Sequence, residues 1–422
     1  MKKQLQASFV ALACAFATGA PAQAAEQTVI EEVLAILEER GIVDEARHAE
    51  LVAKNQAYEA KRASLLSKII WTGDFRARLE NFWYQEDDLG GEPDNRHRGR
   101  YRLRIGAVLP VNDWVTAGFR LASGETENRS TNRSLGRGVD FDRDTIAIDE
   151  AYLQLKLPIE AGTTSFVFGK QSNPFLWKNG KDYMVWDPDY SPEGVSLRFT
   201  MQPSDAVGVF ANVGYFLIDE EAASKDPHVF GLQAGGQLQA AEKLALGGRV
   251  SWYSYGSLNP SFFTRHAAFG NVGLSDSADG SIDQIELSAY GRASYSERWP
   301  VLLHAHFAKN LDAANLAGEG EQDTGWGIAV EAGDAKQIAL LGIGYYDLEA
   351  DFAPALYIDS DLTDGVTNRK VWAFYGTRQV FANTELTLEL FMSDAVDSSP
   401  IFATSVAGSE RLRLRTDVVV RF

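Results

Sequence analysis

Several kinds of chemistry are excluded by what the sequence lacks. Its 422 residues include a single cysteine, Cys14, which lies in an N-terminal segment with the features of a cleaved export signal. A mature chain without thiols forms no disulfide, no thiolate metal site and no cysteine nucleophile. Basic residues are also in deficit, with 40 Lys and Arg against 58 Asp and Glu. This balance argues against a nucleic-acid partner, which requires clustered positive charge.

Catalytic signatures are missing as well. The sequence has no G-x-S-x-G, no Walker loop and no H-E-x-x-H, and its six histidines are too few to suggest a catalytic constellation. His304 and His306 share one face of a predicted strand, which offers two metal ligands without a third. The alternative interpretation is that both are polar residues in contact with water in the lumen. We therefore expect no enzyme, no metal and no cofactor.

Long hydrophobic runs are absent after the first 20 residues. None reaches the roughly 18 residues that a helical membrane span requires. Glycine (37 residues) and aromatic residues (11%) are abundant, whereas proline is scarce (13 residues). This composition is typical of a large antiparallel β protein.

The N-terminus has the features of an export signal. Lys2 and Lys3 precede an apolar stretch, and Ala22-Gln23-Ala24 is an A-x-A cleavage pattern. This layout predicts a secretory signal peptide over residues 1–24 and places the protein in a Gram-negative envelope.

A short helical segment is predicted over residues 25–68. Thr28 and Glu31 form a capping box, Gly41 is a candidate C-cap and Asp44 a candidate N-cap for a second helix. Two interpretations remain open: a periplasmic coiled coil that mediates oligomerisation or binds a cell-wall partner, or a small hairpin that tethers the chain.

From residue 69 the hydrophobic period changes to two. In the segment 71–80, Trp71, Phe75 and Leu79 alternate with Asp74, Arg76 and Arg78. Strict alternation gives each strand one apolar and one polar face. We count sixteen such strands over residues 69–422, joined by connections that are alternately short and long; the long ones include 83–98, 171–193 and 348–369. Even strand number and alternating connection length predict an all-β fold, an antiparallel transmembrane β-barrel of about 16 strands.

Aromatic residues near the predicted strand ends agree with a membrane barrel. Such barrels carry an aromatic girdle at each interface. The chain also ends in an aromatic residue after an alternating strand. The predicted girdle residues are Trp71, Trp114 and Trp299 at one end, and Trp83, Tyr253, Tyr345 and Tyr346 at the other.

Specific motifs resemble the bacterial family of putative porins. They are the segments 39–43 (Glu-Arg-Gly-Ile-Val), 71–76 (Trp-Thr-Gly-Asp-Phe-Arg), 168–175 (Phe-Gly-Lys-Gln-Ser-Asn-Pro-Phe), 184–187 (Met-Val-Trp-Asp) and 191–194 (Ser-Pro-Glu-Gly). The resemblance implies a general diffusion channel of the outer membrane, a homotrimer that contacts lipid and lipopolysaccharide and passes small hydrophilic solutes. It does not identify a solute.

The polar strand faces carry a group of arginines that we call the arginine wall. A sixteen-stranded barrel is wide enough for an aqueous lumen, and arginine on the lipid face is costly, so these side chains should point inward. They either guide anions or pair with nearby carboxylates. The arginine wall comprises Arg76, Arg78, Arg100, Arg102, Arg104, Arg120, Arg411, Arg413 and Arg415.

The connection 171–193 is the predicted constriction. It is rich in aromatic residues, which a fully solvated loop rarely carries. If it packs inside the barrel, Asp187, Asp189 and Glu193 can oppose the arginine wall and create a transverse field; the alternative is local neutralisation. The candidate constriction residues are Asn173, Phe175, Trp177, Lys178, Lys181, Asp187, Asp189 and Glu193.

The sequence thus predicts a passive channel for small hydrophilic solutes, with anions a possible class. One alternative is an exporter of an anionic polysaccharide, which needs an unobstructed arginine track. Another is a structural envelope barrel that acts through its helical segment. Acidic residues of the predicted outer loops, Asp359 and Asp361 among them, are further candidates for bridging lipopolysaccharide through divalent cations.

Overall fold

The computed structural model consists of two compact units, residues 1–68 and 69–422. The structure describes residues 29–84, 95–124, 130–136, 143–176, 179–181, 184–222, 224–258, 269–277, 279–315, 320–363, 365–399, 401–402 and 410–422. The predicted signal peptide, residues 1–24, lies outside the described residues.

The first unit is a pair of helices, α1 (Val29–Glu39) and α2 (Glu45–Leu66). Gly41 has a positive φ of 65°, and its amide donates to the Glu38 carbonyl (2.8 Å), so it ends α1 as predicted. The Asp44 carboxylate accepts from the Arg47 amide (2.7 Å) and caps α2. Among the described residues, no helix combines the length and apolar character needed to cross a bilayer.

The second unit is a single antiparallel sheet. Its strands, numbered β1 to β17 in chain order, are Ile70–Tyr84, Arg96–Pro110, Val115–Ser123, Arg133–Ser134, Ile146–Ile159, Gly162–Lys170, Glu193–Ser204, Val207–Leu217, His228–Ala241, Leu244–Gly256, Ile282–Ala293, Val301–Asn310, Thr324–Gly333, Leu340–Leu348, Arg369–Phe381, Thr384–Ala395 and Arg411–Arg421.

The sheet closes on itself. β1 pairs with β2 on one side and with β17 on the other, and Gly73 and the terminal Phe422 exchange two backbone hydrogen bonds (2.8 and 3.0 Å). The two-residue β4 pairs with Arg100 and Tyr101 of β2, whereas β3 pairs directly with β5. The remaining sixteen strands form a closed antiparallel barrel, which confirms the predicted fold class.

Side chains alternate across the wall as the sequence predicts. In β12, for example, Val301, Leu303 and Ala305 are exposed on the outer face, whereas His304 and His306 are buried on the inner one. This pattern puts apolar side chains toward lipid and polar ones toward the lumen.

The girdle prediction is correct only in part. Trp71, Trp114 and Trp299 are exposed on the outer face, but Tyr253 and Tyr346 are completely buried inside the barrel. Because successive strand residues point to opposite faces, a shift of one position changes a lipid-facing residue into a lumen-facing one.

Three long connections fold into the barrel. We call them loop A (residues 171–192), loop B (257–281) and loop C (349–368). Their apolar residues form one buried cluster with inward-facing residues of the wall. Loop C carries much of it: Phe352, Ile358 and Leu362 are at most 1% exposed. The lumen is therefore partly filled by packed loops.

We predict that arginine on the outer face destabilises the barrel. Leu287 lies in the middle of β11 and is exposed to the lipid phase. Leu287→Arg should lower the free energy of unfolding by about 2–4 kcal/mol, the cost of a midplane arginine. Chemical denaturation of the barrel folded in lipid vesicles measures this value. Glu297→Arg, in the short exposed connection after β11, is the matched control. Equal losses in the two variants would contradict the assigned face.

Candidate functional site

The arginine wall occupies four neighbouring strands. Its members lie on β17, β1, β2 and β3, which pair in that order around the barrel. The inward direction predicted for them agrees with their burial: Arg78 is 2% exposed and Arg413 2%, whereas the outward Phe75 and Leu79 are 42% and 61% exposed. The nine arginines thus form one continuous inner surface.

Carboxylates of the same strands compensate most of these arginines. Asp74 accepts from Arg102 (2.8 Å) and Arg104 (2.6 Å). Glu80 pairs with Arg413, with Arg98 (2.5 Å) and with Arg100 (3.6 Å). Counting carboxylates of the described residues, seven wall arginines have a carboxylate oxygen within 4.0 Å: Arg78, Arg100, Arg102, Arg104, Arg120, Arg413 and Arg415.

Arg76 and Arg411 bind neutral oxygens among the described residues. Arg76 donates two hydrogen bonds to the Asn132 amide oxygen (3.0 and 2.6 Å). Arg411 donates to the Thr363 carbonyl (3.1 Å). The arginine wall is therefore a compensated network and not a row of bare cations.

A register irregularity places two consecutive carboxylates at Arg120. The pairing of β3 with β5 shifts between Arg120 and Leu121, so that Asp149 becomes an extra residue beside Glu150. Both carboxylates contact the Arg120 guanidinium, Glu150 at 2.8 Å. Regular alternation would have pointed one of them toward lipid; the bulge brings both inward.

Loop A enters the lumen from the end of β6. The Asn173 side chain accepts from the Phe175 amide (2.9 Å) and fixes the turn. Phe175 is completely buried, and its carbonyl accepts from Gln233 of β9 (2.9 Å) and from Arg249 of β10. Loop A thus packs against the inner surface of the wall.

The tip of loop A reaches the opposite side of the barrel. Lys181 forms an ion pair with Glu389 of β16 and lies 4.3 Å from the centre of the Tyr375 ring. By the shorter way around the barrel, β16 is seven strands from β7, at which loop A ends, so the loop spans the lumen. The predicted constriction residues Trp177 and Lys178 lie outside the described residues.

Only one of the three predicted opposing carboxylates contacts the arginine wall. Asp189 lies 3.6 Å from Arg102 and accepts from the backbone amide and hydroxyl of Thr131 (3.2 Å each). Asp187 instead accepts from the amides of Asp189 (2.8 Å) and Ser360 (2.9 Å). Asp187 thus joins loop A to loop C, because its carboxylate supplies the acceptor that the Ser360 amide of loop C needs.

The prediction for Glu193 is wrong in geometry. Glu193 is the first residue of β7 and pairs with Lys170 of β6 (2.7 Å), with 64% of its side chain exposed. A residue at the strand end lies away from the lumen contacts that loop A makes.

Loop C supplies a second lumen carboxylate that sequence reasoning placed elsewhere. Asp361 lies in the helical turn Ser360–Thr363, 2.8 Å from Arg78 and 2.5 Å from Arg415. Its neighbour Asp359 is 4% exposed. Neither residue is part of an outer acidic surface, because both belong to the packed interior. The aromatic and aliphatic content of 352–362 was the signal for insertion.

Several carboxylates of loops A and C have shifted pKa values, Asp187 and Asp361 among them. Burial, together with the nearby Asp189 and Asp361, raises the pKa of Asp187 to about 7. Burial also opposes ionisation of Asp361, but Arg415 and Arg78 outweigh it and hold the pKa of Asp361 well below its ordinary range.

The two histidines of β12 contact each other. His304 Nδ1 lies 3.0 Å from His306 Nε2, and His306 Nδ1 lies 3.0 Å from the Ser288 hydroxyl. Within the part of the chain that the structure describes, no group of three His, Cys, Asp or Glu side chains is arranged to hold a metal.

Comparisons with known proteins agree with the barrel. A family model described as "Putative porin" matches residues 89–268, which confirms the resemblance seen in the motifs. The high-pH structure of Pseudomonas putida OprB has a TM-score of 0.54 at 13% identity, covering 86% of this chain and 97% of that one. A triple mutant of the Rhodopseudomonas blastica porin has a TM-score of 0.43 at 10% identity, covering 84% and 100%. No curated protein matches the sequence.

The family match over residues 89–268 supports a porin, and the solved structures support the barrel fold. Because the sequence identities are low, similarity to the solved structures supports the fold alone.

We predict that Asp187 makes the docking of loop A to loop C depend on pH. Its carboxyl is protonated in the docked loop up to about pH 7, but in an undocked loop only below its ordinary pKa of 3.8. Raising the pH from 4 to 8 should therefore weaken docking, by on the order of 4 kcal/mol, with no further loss above pH 8. Hydrogen exchange of segment 184–190, corrected for intrinsic rates, measures the opening.

Asp187→Asn cannot ionise, so its opening should depend less on pH than that of the wild type; burial also raises the pKa of Asp359, which keeps a share of the dependence. The exposed Asp394→Asn is the matched control and should keep the wild-type dependence. A wild-type protein with pH-independent opening would contradict this role of Asp187.

Proposed function

We propose that the protein is a passive outer-membrane channel for small hydrophilic solutes. Solutes would diffuse down their gradient through the lumen, filtered by size and charge where loop A narrows it. The observation that carries the proposal is the course of loop A, from Phe175 packed on β9 and β10 to Lys181 paired with Glu389 on the far side. A chain segment held across a barrel restricts what can pass.

Charge compensation favours moderate selectivity over a strong preference for anions. Most wall arginines share a carboxylate, so the field at the constriction arises from the few groups that retain contact with water. Arg104 and Asp189 are examples, with side chains 20% and 13% exposed. The two groups lie 4.0 Å apart and form a local dipole that remains in contact with water.

The polysaccharide-exporter alternative is less well supported. A polymer would need an open arginine track, but Asp361 of loop C contacts Arg78 and Arg415 in the middle of that track. The structural-barrel alternative rests on the helical pair, which we place in the periplasm. We expect a homotrimer in contact with lipid and lipopolysaccharide, as the family resemblance implies.

Single-channel recording in planar bilayers tests the proposal. The folded mature protein should give stable, stepwise conductance. Across a potassium chloride gradient, Arg104→Gln should shift the reversal potential toward cation preference and Asp189→Asn toward anion preference, because each removes one exposed charge of the constriction. Arg298→Gln, in the exposed connection before β12, should leave the potential unchanged.

Absence of conductance from a correctly folded barrel would refute the channel. Shifts of equal sign in the two constriction variants would refute the charge assignment while leaving the channel intact. Removal of residues 25–68 should preserve conductance if the helical pair has a separate role in assembly or anchoring.

A further inference from the structure

Three arginine side chains of the barrel wall converge on one loop carboxylate. Arg78 donates to both oxygens of Asp361 (2.8 and 3.4 Å), and Arg415 lies 2.5 Å from it. Arg413 lies 3.9 Å from the carboxylate and donates to the Asp361 main-chain carbonyl (2.9 Å). Two strands, β1 and β17, thus form a preorganised pocket of guanidinium groups around a single anion.

Burial shows which member of this cluster a solute would meet. The side chains of Arg78, Arg413 and Arg415 are 1%, 3% and 5% exposed, whereas that of Asp361 is 28% exposed. The carboxylate is therefore the water-facing part, and the guanidinium groups lie directly behind it. An anion that replaces Asp361 gains access to all three.

The wall does not compensate its own arginines completely at this point. Within the described residues, five arginines (Arg78, Arg98, Arg100, Arg413 and Arg415) contact three carboxylates of the strands (Glu80, Glu389 and Asp417). Asp361 is an additional anion supplied by loop C. Departure of Asp361 would leave these buried cations with one counter-charge fewer, which favours another anion in its place.

The geometry is suited to a carboxylate. Arg78 binds Asp361 through two nitrogens and two oxygens, the bidentate arrangement that a planar carboxylate accepts and a halide does not. The aspartate side chain presents this group on one methylene, as a short monocarboxylic acid does.

We propose that Asp361 occupies a binding site for small monocarboxylates, formed by Arg78, Arg413 and Arg415, and that such solutes displace it as they pass. This inference rests on the proposed channel function and names its substrate class. Displacement also detaches one end of loop C from the wall. The other end stays anchored, because the Asp351 carboxylate accepts from the amides of Val272 and Gly273 (2.9 and 2.8 Å).

Block of the potassium chloride current by sodium propanoate tests the site. In the wild-type channel Asp361 competes with propanoate, so block should be weak. Asp361→Asn removes the competing charge, and its apparent affinity for propanoate should rise by about tenfold or more. Neutral propanamide should block neither channel.

Asp351→Asn is the control for loop loosening. It weakens the other anchor of loop C but leaves Asp361 on the arginines, so propanoate affinity should stay near the wild-type value. Equal block by propanoate and propanamide, or equal affinity in Asp361→Asn and wild type, would overturn the proposal.

A second measurement does not depend on conductance. Thr363, next to this site, is 1% exposed, and replacement of Cys14 by serine leaves a chain without other thiols. In that background, a maleimide should label Thr363→Cys severalfold faster with propanoate than with propanamide. Faster labelling in a chain that does not conduct would support the site and refute the channel. Equal labelling rates in a chain that conducts would refute the site alone.

Discussion

The constraint on which the structure depends is that a charged side chain of a membrane-spanning strand must point away from lipid. Alternation then decides its position, since every second residue of each strand faces the lumen. The arginines of β17, β1 and β2 are brought together by this rule alone. Once buried side by side, they require anions, and the strands themselves provide Asp74, Glu80 and Asp417. The two loop carboxylates, Asp189 and Asp361, complete the network.

The two sides of the lumen hold the loops by different forces. The arginine side binds loop carboxylates. The opposite side is rich in glycine, and loop aromatics occupy the space that side chains would otherwise fill. A Cβ atom at Gly231 would collide with the Phe175 ring, and one at Gly325 with the Phe352 ring. Loops A and C are thus each held at two kinds of contact, one electrostatic and one formed by close packing.

The fold was predictable because its signals are local. Strand direction, and the side of the sheet that each residue faces, can be read from the sequence without knowing which strands pair. The signals are a period of two, connections that alternate in length, and arginines in phase with the polar face. The aromatic residues of loop A also indicated correctly that the loop packs inside. What alternation does not contain is pairing: which carboxylate meets which arginine depends on register and on loops distant in sequence.

The errors have the same origin. Asp361 and Asp359 were assigned to an outer surface because a loop between two strands is normally solvated, and only tertiary packing turns this one inward. Tyr253 and Tyr346 were assigned to the lipid girdle, but each lies one position along its strand from a lipid-facing residue and therefore points into the lumen. The paired carboxylates at Arg120 depend on a β-bulge, which interrupts alternation and leaves no clear mark in the sequence.

Counting arginines therefore overestimates the positive field inside such a barrel. An arginine that is paired with a buried carboxylate contributes little to the potential in the lumen. The two opposite charges act as a dipole, whose potential falls off faster with distance than that of a single charge. The field is set by groups that remain in contact with water, and Asp361 of loop C, with 28% of its side chain exposed, is one of them. Loops tolerate substitution more readily than paired strands. Under the proposed channel function, substitutions in loops A and C would change solute preference while the arginine wall stays the same.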